Sequence, residues 1–357
     1  MATAQIKTGI VGVSGYSGME LVRLLSRHPG FSVAWATTDR WAGKTLGEMS
    51  PLGPSLSSLV CISQEDGLGR FGDVELVFLC TPPEVSIELA PKVLAAGARV
   101  VDLSGGFRLA AEAYPRWYGF EHHAPALLSQ AVYSLPEVTL VKNAEQLRQA
   151  KLVSNPGCYP TASSLPLLPL LRAGIVEPTG VIIDAKSGTT GAGRKGTEAM
   201  SFSEVADDFR AYRVLKHQHA PEIDRILALG GVPDVKVTFT AHLLPVRRGI
   251  LATAYGRLAD GVGADATKAA EAALQSFAAG RPFLHVTEPE AVTLHAVVGT
   301  NRVVMGVRAD LERKIVVAFG AIDNLVKGAA GQALQNANLM FGWPESTALD
   351  TLVGHQP

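Results

Sequence analysis

Residues 6–25 read IKTGIVGVSGYSGMELVRLL, and the order of residue types in that stretch decides the first half of the fold. Ile6–Val13 is short, mostly apolar and partly β-branched, as a buried strand is. It runs into Gly12-Val13-Ser14-Gly15-Tyr16-Ser17-Gly18. Met19–His28 then places Leu21, Leu24 and Leu25 on one helical face, and Pro29-Gly30 ends that helix. A second strand, Phe31–Thr38, follows at once. Three glycines alone say little. Between a strand and a helix they let the backbone turn tightly and approach a phosphate, while the helix offers N–H groups and its positive end. Gly12, Ser14, Gly15, Tyr16, Ser17 and Gly18 are therefore the candidate contacts of a dinucleotide cofactor.

Working outward, strands are expected at Val74–Cys80, Arg99–Leu103 and Lys151–Asn155, with a helix over Glu84–Ala96 stopped by Gly97. Alternation of this kind predicts a parallel sheet covered on both faces. Beyond about residue 150 the pattern changes. Val181–Lys186, Val235–Leu244, Ile250–Arg257, Arg302–Ala309 and Ile315–Ala321 are longer, and several alternate apolar with polar residues, as antiparallel strands with one wetted face do. Leu311–Arg313 joins the last two as a hairpin; Gly263–Ala279 and Leu325–Met340 are helical. The expected fold is α/β: a Rossmann-type domain over 1–155, then a second α+β domain with a mixed or antiparallel sheet over 156–324. The C-terminal helix, within 325–357, is expected to pack back on the first domain.

Bulk properties remove several classes of function. With 32 Lys+Arg against 33 Asp+Glu there is no basic surplus to recruit nucleic acid or an anionic membrane. Three cysteines, Cys61, Cys80 and Cys158, are an odd number without framework spacing, which suits a reducing cytoplasm. No run approaches the roughly 18–20 apolar residues that span a bilayer. No secretory signal pattern opens the sequence. No metal is called for.

Ser154-Asn155-Pro156-Gly157-Cys158-Tyr159-Pro160-Thr161 puts a cysteine on the first residues of a helix that follows a strand. Unpaired N–H groups and the dipole there favour a thiolate. Cys61 and Cys80 lack that setting. A thiolate nucleophile needs a proton partner. His217-Gln218-His219, ahead of Ala220-Pro221-Glu222-Ile223, supplies two imidazoles; in an extended lead-in both would point to one side. Spacing does not choose between them. Ser104 with Arg108, and Arg194 with Lys195, are candidate donors for an anionic group of a substrate. Glu222 would bind substrate or orient a histidine. At the end of the second strand Asp39 would suit the ribose of NAD, and Thr38 with Arg40 the 2′-phosphate of NADP.

The chain resembles the N-acetyl-γ-glutamyl-phosphate reductase family, the arginine-pathway relatives of aspartate-semialdehyde dehydrogenase. The resemblance rests on Gly15–Leu21, Asp102–Arg108, Trp117–Gly119, Leu135–Glu137, Asn155–Thr161, Ser187–Arg194, His217–Ile223 and Asp323–Ala333, in that order. The family usually carries an acidic residue where this chain has Gly106. The resemblance implies NADP as cofactor. It places Thr81 and Pro82 by the adenosine and pyrophosphate path, Ser187 and Gly188 near the cofactor, Asn324 near the nicotinamide amide and Asn155 by the substrate. It implies an acyl-phosphate substrate captured by Cys158 as a thioester, reduced to an aldehyde with His217 or His219 moving the proton, in a homo-oligomer. Rival readings are a reductase of aspartyl phosphate or of a carrier-linked aminoadipyl phosphate, a non-redox cysteine acyltransferase or hydrolase, and a nucleotide-binding sensor.

Overall fold

The computed structural model describes residues 5–195 and 197–349, without the side chains of 54, 55 and 141–143. Residues 350–357 of the expected C-terminal stretch lie outside the described residues. Contacts divide the chain into two units. One holds the residues up to Pro136, Leu140–Pro156 and those from Ala329 on; the other holds Glu137–Thr139 and Gly157–Gly328.

The first unit is built on six strands: β1 (Ile6–Val11), β2 (Phe31–Thr37), β3 (Leu76–Leu79), β4 (Arg99–Asp102), β5 (Val132–Tyr133) and β6 (Leu152–Ser154). They lie in the order β2-β1-β3-β4-β6-β5, and every pairing is parallel. From β1 the chain builds first to one side and then to the other. The carboxyl end of β1 is therefore a switch point, where ligands of such sheets bind. The first helix is Tyr16–Leu25, not Met19–His28. Its start takes in the last loop residues. At its end, His28 leaves the helix because its Nδ1 accepts the N–H groups of Gly30 and Phe31, each at 3.0 Å. The C-terminal helix Gly331–Met340 packs on the first helix and on β4, tied by His28 Nε2 to Asn338 Oδ1 at 2.9 Å and by Arg99 to the Met340 carbonyl at 3.0 Å.

The second unit carries β7 (Ile182–Gly188), β8 (Arg210–Tyr212), β9 (Thr238–Leu244), β10 (Ile250–Arg257), β11 (Leu284–Val286), β12 (Val303–Asp310) and β13 (Ile315–Ile322). Their order is β11-β12-β13-β10-β7-β9-β8, a mixed sheet with β7/β9 and β11/β12 parallel and the other pairs antiparallel. The Cys158–Arg172 helix lies on β10 and β13. It carries Pro166 and Pro169 in its interior. Pro166 has no N–H for the Ala162 carbonyl. Gly320 of β13 fills that position so closely that a Cβ would fall 2.3 Å from the Ala162 oxygen. The helix that begins at Cys158 is thus seated on bare backbone. The segment expected as one helix over Leu325–Met340 is two elements, a π-helical turn Val326–Ala330 and then Gly331–Met340.

Candidate active site

In the first unit, Gly12 holds φ +85°, and a Cβ there would meet the Cys80 carbonyl oxygen at 2.6 Å. A Cβ on Gly18 would lie 2.7 Å from the Gly12 oxygen and 2.8 Å from the Val13 Cα, so strand and helix touch through backbone alone. Gly15 is the helix N-cap and makes no side-chain cap hydrogen bond. Just past β2 the hydroxyl of Thr38 is buried without a hydrogen-bond partner among the described residues. Asp39 and Arg40 beside it are exposed. Asp39 Oδ1 already accepts the Gln64 N–H at 2.8 Å, and the Arg40 guanidinium lies 5.5 Å over the Trp41 ring. Pro82 caps the Pro83–Ala95 helix, and Thr81 shares a 2.8 Å hydroxyl bond with Ser86. A cradle closed to Cβ atoms, an uncapped helix and an orphaned hydroxyl fit a dinucleotide with an added phosphate.

Three of the expected substrate contacts are engaged inside this unit. Ser104 donates its hydroxyl to Asp102 Oδ2 at 2.8 Å, and Asp102 Oδ1 accepts the Ser104 N–H. Arg108 is buried, with Nε on the Asn155 carbonyl and Nη2 on the Leu103 carbonyl, both at 2.8 Å. The Asn155 amide donates to the Ala329 carbonyl at 3.2 Å and accepts from Asn336 Nδ2 at 3.0 Å. Carbonyls therefore orient Arg108, not a side chain at 106. A Cβ on Gly106 would already press Ile87 and the Ser104 hydroxyl at 3.1 Å.

In the second unit Gly157 caps the helix and Cys158, half-buried, is its first residue. Burial pushes the Cys61 thiol up to about 11 and the Cys80 thiol higher still, helped there by Asp102, so both settings disfavour a thiolate. Glu222, fully buried in the first turn of Ala220–Leu229, accepts the Gly157 N–H on Oε1 at 2.7 Å, and its Oε2 lies 4.0 Å from His219 Nε2. The lead-in to that helix is a turn and not extended, which corrects the sequence reading: His219 is αR, with φ −82° and ψ −13°. The two imidazoles still come together, 4.8 Å between ring centroids, because the turn lets His217 Nδ1 accept the His219 N–H at 3.2 Å. That bond fixes Nδ1 as unprotonated. Burial, then His219 and Arg213, push the His217 imidazole down to about 2, against a pull from Glu222.

Cys158, His217 and His219 line a cavity of about 450 Å³ together with Tyr212, Arg210 and Arg213. Ser187 and Gly188 line it too; Arg194 and Lys195 are not among its lining residues. The cations at this cavity are Arg210 and Arg213, seven and four residues before His217, a spacing the sequence displays and the motif reading passed over. Arg210 also braces one rim, donating to the carbonyls of Ala199 at 2.7 Å and Glu204 at 2.9 Å and pairing with Asp208. Tyr159 and Tyr212, likewise not singled out, share a 2.9 Å hydroxyl bond, and burial raises both phenols. Asn324 spends its amide on the Gly249 N–H at 2.8 Å and the Thr190 hydroxyl at 2.9 Å, so it braces the loop after β7.

Residues 7–150 match the family described as semialdehyde dehydrogenase, NAD binding domain, and residues 158–324 the one described as semialdehyde dehydrogenase, dimerisation domain. Among solved structures, an aspartate semialdehyde dehydrogenase II from Vibrio cholerae is similar with TM-score 0.73 at 16% identity, over 95% of this chain and 98% of that one. One with NADP from Candida albicans gives TM-score 0.66 at 18% identity, over 94% and 98%. A parallel nucleotide-type sheet followed by a mixed sheet carrying a helix-borne cysteine defines the semialdehyde dehydrogenase class. Within that class, N-acetyl-γ-glutamyl-phosphate reductases of Magnetococcus marinus, Symbiobacterium thermophilum and Pseudomonas aeruginosa are 42%, 44% and 43% identical. They cover 97%, 96% and 96% of this chain, and 98%, 97% and 98% of their own lengths are matched. The chain belongs to the N-acetyl-γ-glutamyl-phosphate reductase family.

Proposed function

We propose that this protein reduces N-acetyl-γ-glutamyl phosphate to the corresponding 5-semialdehyde with NADPH, releasing phosphate, as a step of arginine biosynthesis. The observation that carries the chemistry is one cavity holding a helix-first cysteine and two imidazoles. The near-complete match to reductases of that name supports the substrate; the aspartyl-phosphate rival has only a likeness of fold behind it. Gly12, Ser14, Gly15, Tyr16, Ser17 and Gly18 hold the pyrophosphate, Thr38 and Arg40 the 2′-phosphate, with Thr81, Pro82, Ser187, Gly188 and Asn324 lining or bracing the cofactor's path. NADPH supplies the hydride.

The sulfur of Cys158 attacks the γ-acyl carbon, the carbon–oxygen bond to phosphate breaks, and phosphate departs, leaving a thioester on the chain. Arg210 and Arg213 attract the anionic groups, with Arg194 and Lys195 outside. After reduction, His219 gives its proton to the carbonyl oxygen and takes it back as the carbon–sulfur bond breaks, which frees the aldehyde and the thiolate. We assign the proton to His219 because Glu222 stands beside it, whereas burial keeps His217 neutral. Ser104, Arg108 and Asn155 hold the turn ahead of the cysteine. Domains divide as 1–155 and 156–324, with the C-terminal helix joined to the first. The second domain pairs copies of the chain, and the enzyme acts on small molecules in the cytoplasm as a homo-oligomer. Among the described residues no helix is long and apolar enough to cross a membrane.

The test is a mass balance. With N-acetyl-γ-glutamyl phosphate, NADPH consumed and phosphate released should be equal, and the reverse reaction with the semialdehyde should require phosphate. Turnover with aspartyl phosphate in its place, or phosphate release without NADPH use, rejects the reading.

A further inference from the structure

Lys327 is 0% exposed, and its ammonium lies 2.6 Å from Glu137 Oε1, a carboxylate nearly as deeply buried. The ring of Phe283 sits 5.4 Å below the same nitrogen. Arg281 holds the other side, donating Nε to the Glu137 carbonyl at 3.0 Å. Hiding both charges is costly before their attraction is counted, and an apolar pair often does as well for stability. The proposed chemistry makes no use of either group.

Their place in the chain suggests a use. Lys327 is the second residue of the π-helical turn Val326–Ala330, a form found mostly as single turns and often at functional sites. The next residue, Gly328, has no room for a side chain: a Cβ would lie 2.6 Å from the Cys158 Cβ and 3.3 Å from Ile322 Cδ1. The backbone of the turn is the wall behind the cysteine. Asp323 fixes the entry to that wall. Its carboxylate accepts the Leu325 N–H at 2.8 Å and the Val326 N–H at 3.2 Å and pairs with Arg248 at 2.9 Å, while its carbonyl accepts the Gly328 N–H at 2.9 Å. Beyond the entry, Lys327 ties the turn to another element through its own side chain, and the Asn155 amide holds the Ala329 carbonyl at 3.2 Å.

We propose that Lys327 and Glu137 are positioning residues for Cys158: their ion pair sets the register of the π-helical turn, and Gly328 transmits it to the cysteine's β-carbon. This rests on Cys158 being the nucleophile. A directional ion pair suits the task because apolar contact, being non-directional, would hold the turn without fixing where it stops.

The experiment compares Lys327→Met, Glu137→Gln and the apolar double variant Lys327→Met with Glu137→Leu. Each is assayed for kcat, KM, Tm and the pH profile of iodoacetamide capture at Cys158, read from that peptide's mass. The single variants should lose about 10-fold to 100-fold in kcat with KM little changed, since misplacement of about 1 Å costs that much. Their capture profiles should differ from wild type. The double variant should regain Tm without regaining kcat, and Gly328→Ala, which pushes on the same β-carbon, should show the same kinetic defect. A double variant with wild-type kcat and capture profile overturns the proposal and leaves the pair a matter of stability alone. If the single variants do not fold, the double variant and Gly328→Ala decide. Thiol capture needs no substrate, so a sensitive profile in a protein inactive on the acyl phosphate would reject the proposed reaction and keep the positioning role.

Discussion

Gly15 caps the first helix at φ −69° and ψ 161°; Gly157 caps the Cys158 helix at φ −72° and ψ 157°. Neither makes a side-chain cap bond, and neither helix has an acidic residue in its first turn. The short helices Leu46–Met49 and Gln64–Leu68 are closed by Thr45 and Ser63, with acids behind them. A glycine cap in place of Ser, Thr, Asp or Asn forgoes only a few tenths of a kcal/mol, so these two ends go without a side-chain cap at little cost. Both ends favour an anion, and at the second the Glu222 carboxylate already accepts the Gly157 N–H at 2.7 Å. The difference is in what the anion is. On the proposed function the anion at the first turn arrives as ligand, so side chains must be absent, and Gly12 and Gly18 have no space for one. At the second it is a side chain of the protein, and the fitted part is the wall behind Cys158 at Gly328.

If the two turns are separate devices, damage at one should spare the other. Cys158→Ser should lower reduction by on the order of 10⁴-fold or more while NADPH titration gives the wild-type dissociation constant. Gly12→Ala should do the converse, weakening NADPH by about 100-fold through strain and the 2.6 Å clash while iodoacetamide still captures Cys158. Loss of both properties in either variant would mean one device and not two. Within the thiol turn, His219→Ala should cost about 10²–10⁴-fold in kcat, the usual contribution of a general acid. His217→Ala should cost less; the reverse order would move the proton to His217. Within the phosphate turn, Arg40→Ala should weaken NADPH about tenfold and leave NADH unchanged, a smaller effect because Arg40 is exposed and its contact screened. Equal losses for both cofactors would remove Arg40 from the 2′-phosphate.

Much of this was legible because the two turns are local. Ile6–Leu25 writes strand, glycines and helix in order, and Asn155–Thr161 writes strand end, cap and cysteine, so neighbours in sequence are neighbours in space. The cavity around Cys158 is assembled from β7, the β8 segment and the turn before Ala220, and no spacing rule connects Arg210 or Tyr212 to Cys158. Ser104, Arg108 and Asn155 illustrate the converse. Their motif marks them for a ligand, but their polar atoms meet Asp102, Leu103, Ala329 and Asn336, partners that sequence does not disclose. The π-helical turn was hidden for another reason: its residues keep an ordinary helical rhythm, and the extra residue is marked by the Gly328 N–H reaching the Asp323 carbonyl five residues back and by the packing of Gly328 on Cys158.

The smallest expected effect compares one buried histidine from each unit. His28 and His217 are both depressed from 6.5 by burial, the first partly offset by its bond to Asn338, the second taken to about 2. In the folded chain His217 stays neutral as pH falls below 6.5; in the unfolded chain it takes up a proton. The unfolded state therefore binds more protons between about 2 and 6.5, and stability, complete above that range, declines on acidification. One such proton changes stability by about 1.4 kcal/mol per pH unit, a few degrees in Tm. His217→Asn keeps an acceptor for the His219 N–H and removes the titration. Its Tm should fall less steeply than wild type from pH 6.5 to 5, with the contributions of His28 and the buried Asp102 cancelling in the difference. Identical slopes would mean that His217 is open to protonation in the folded state, and the reason for preferring His219 as proton donor would go with it.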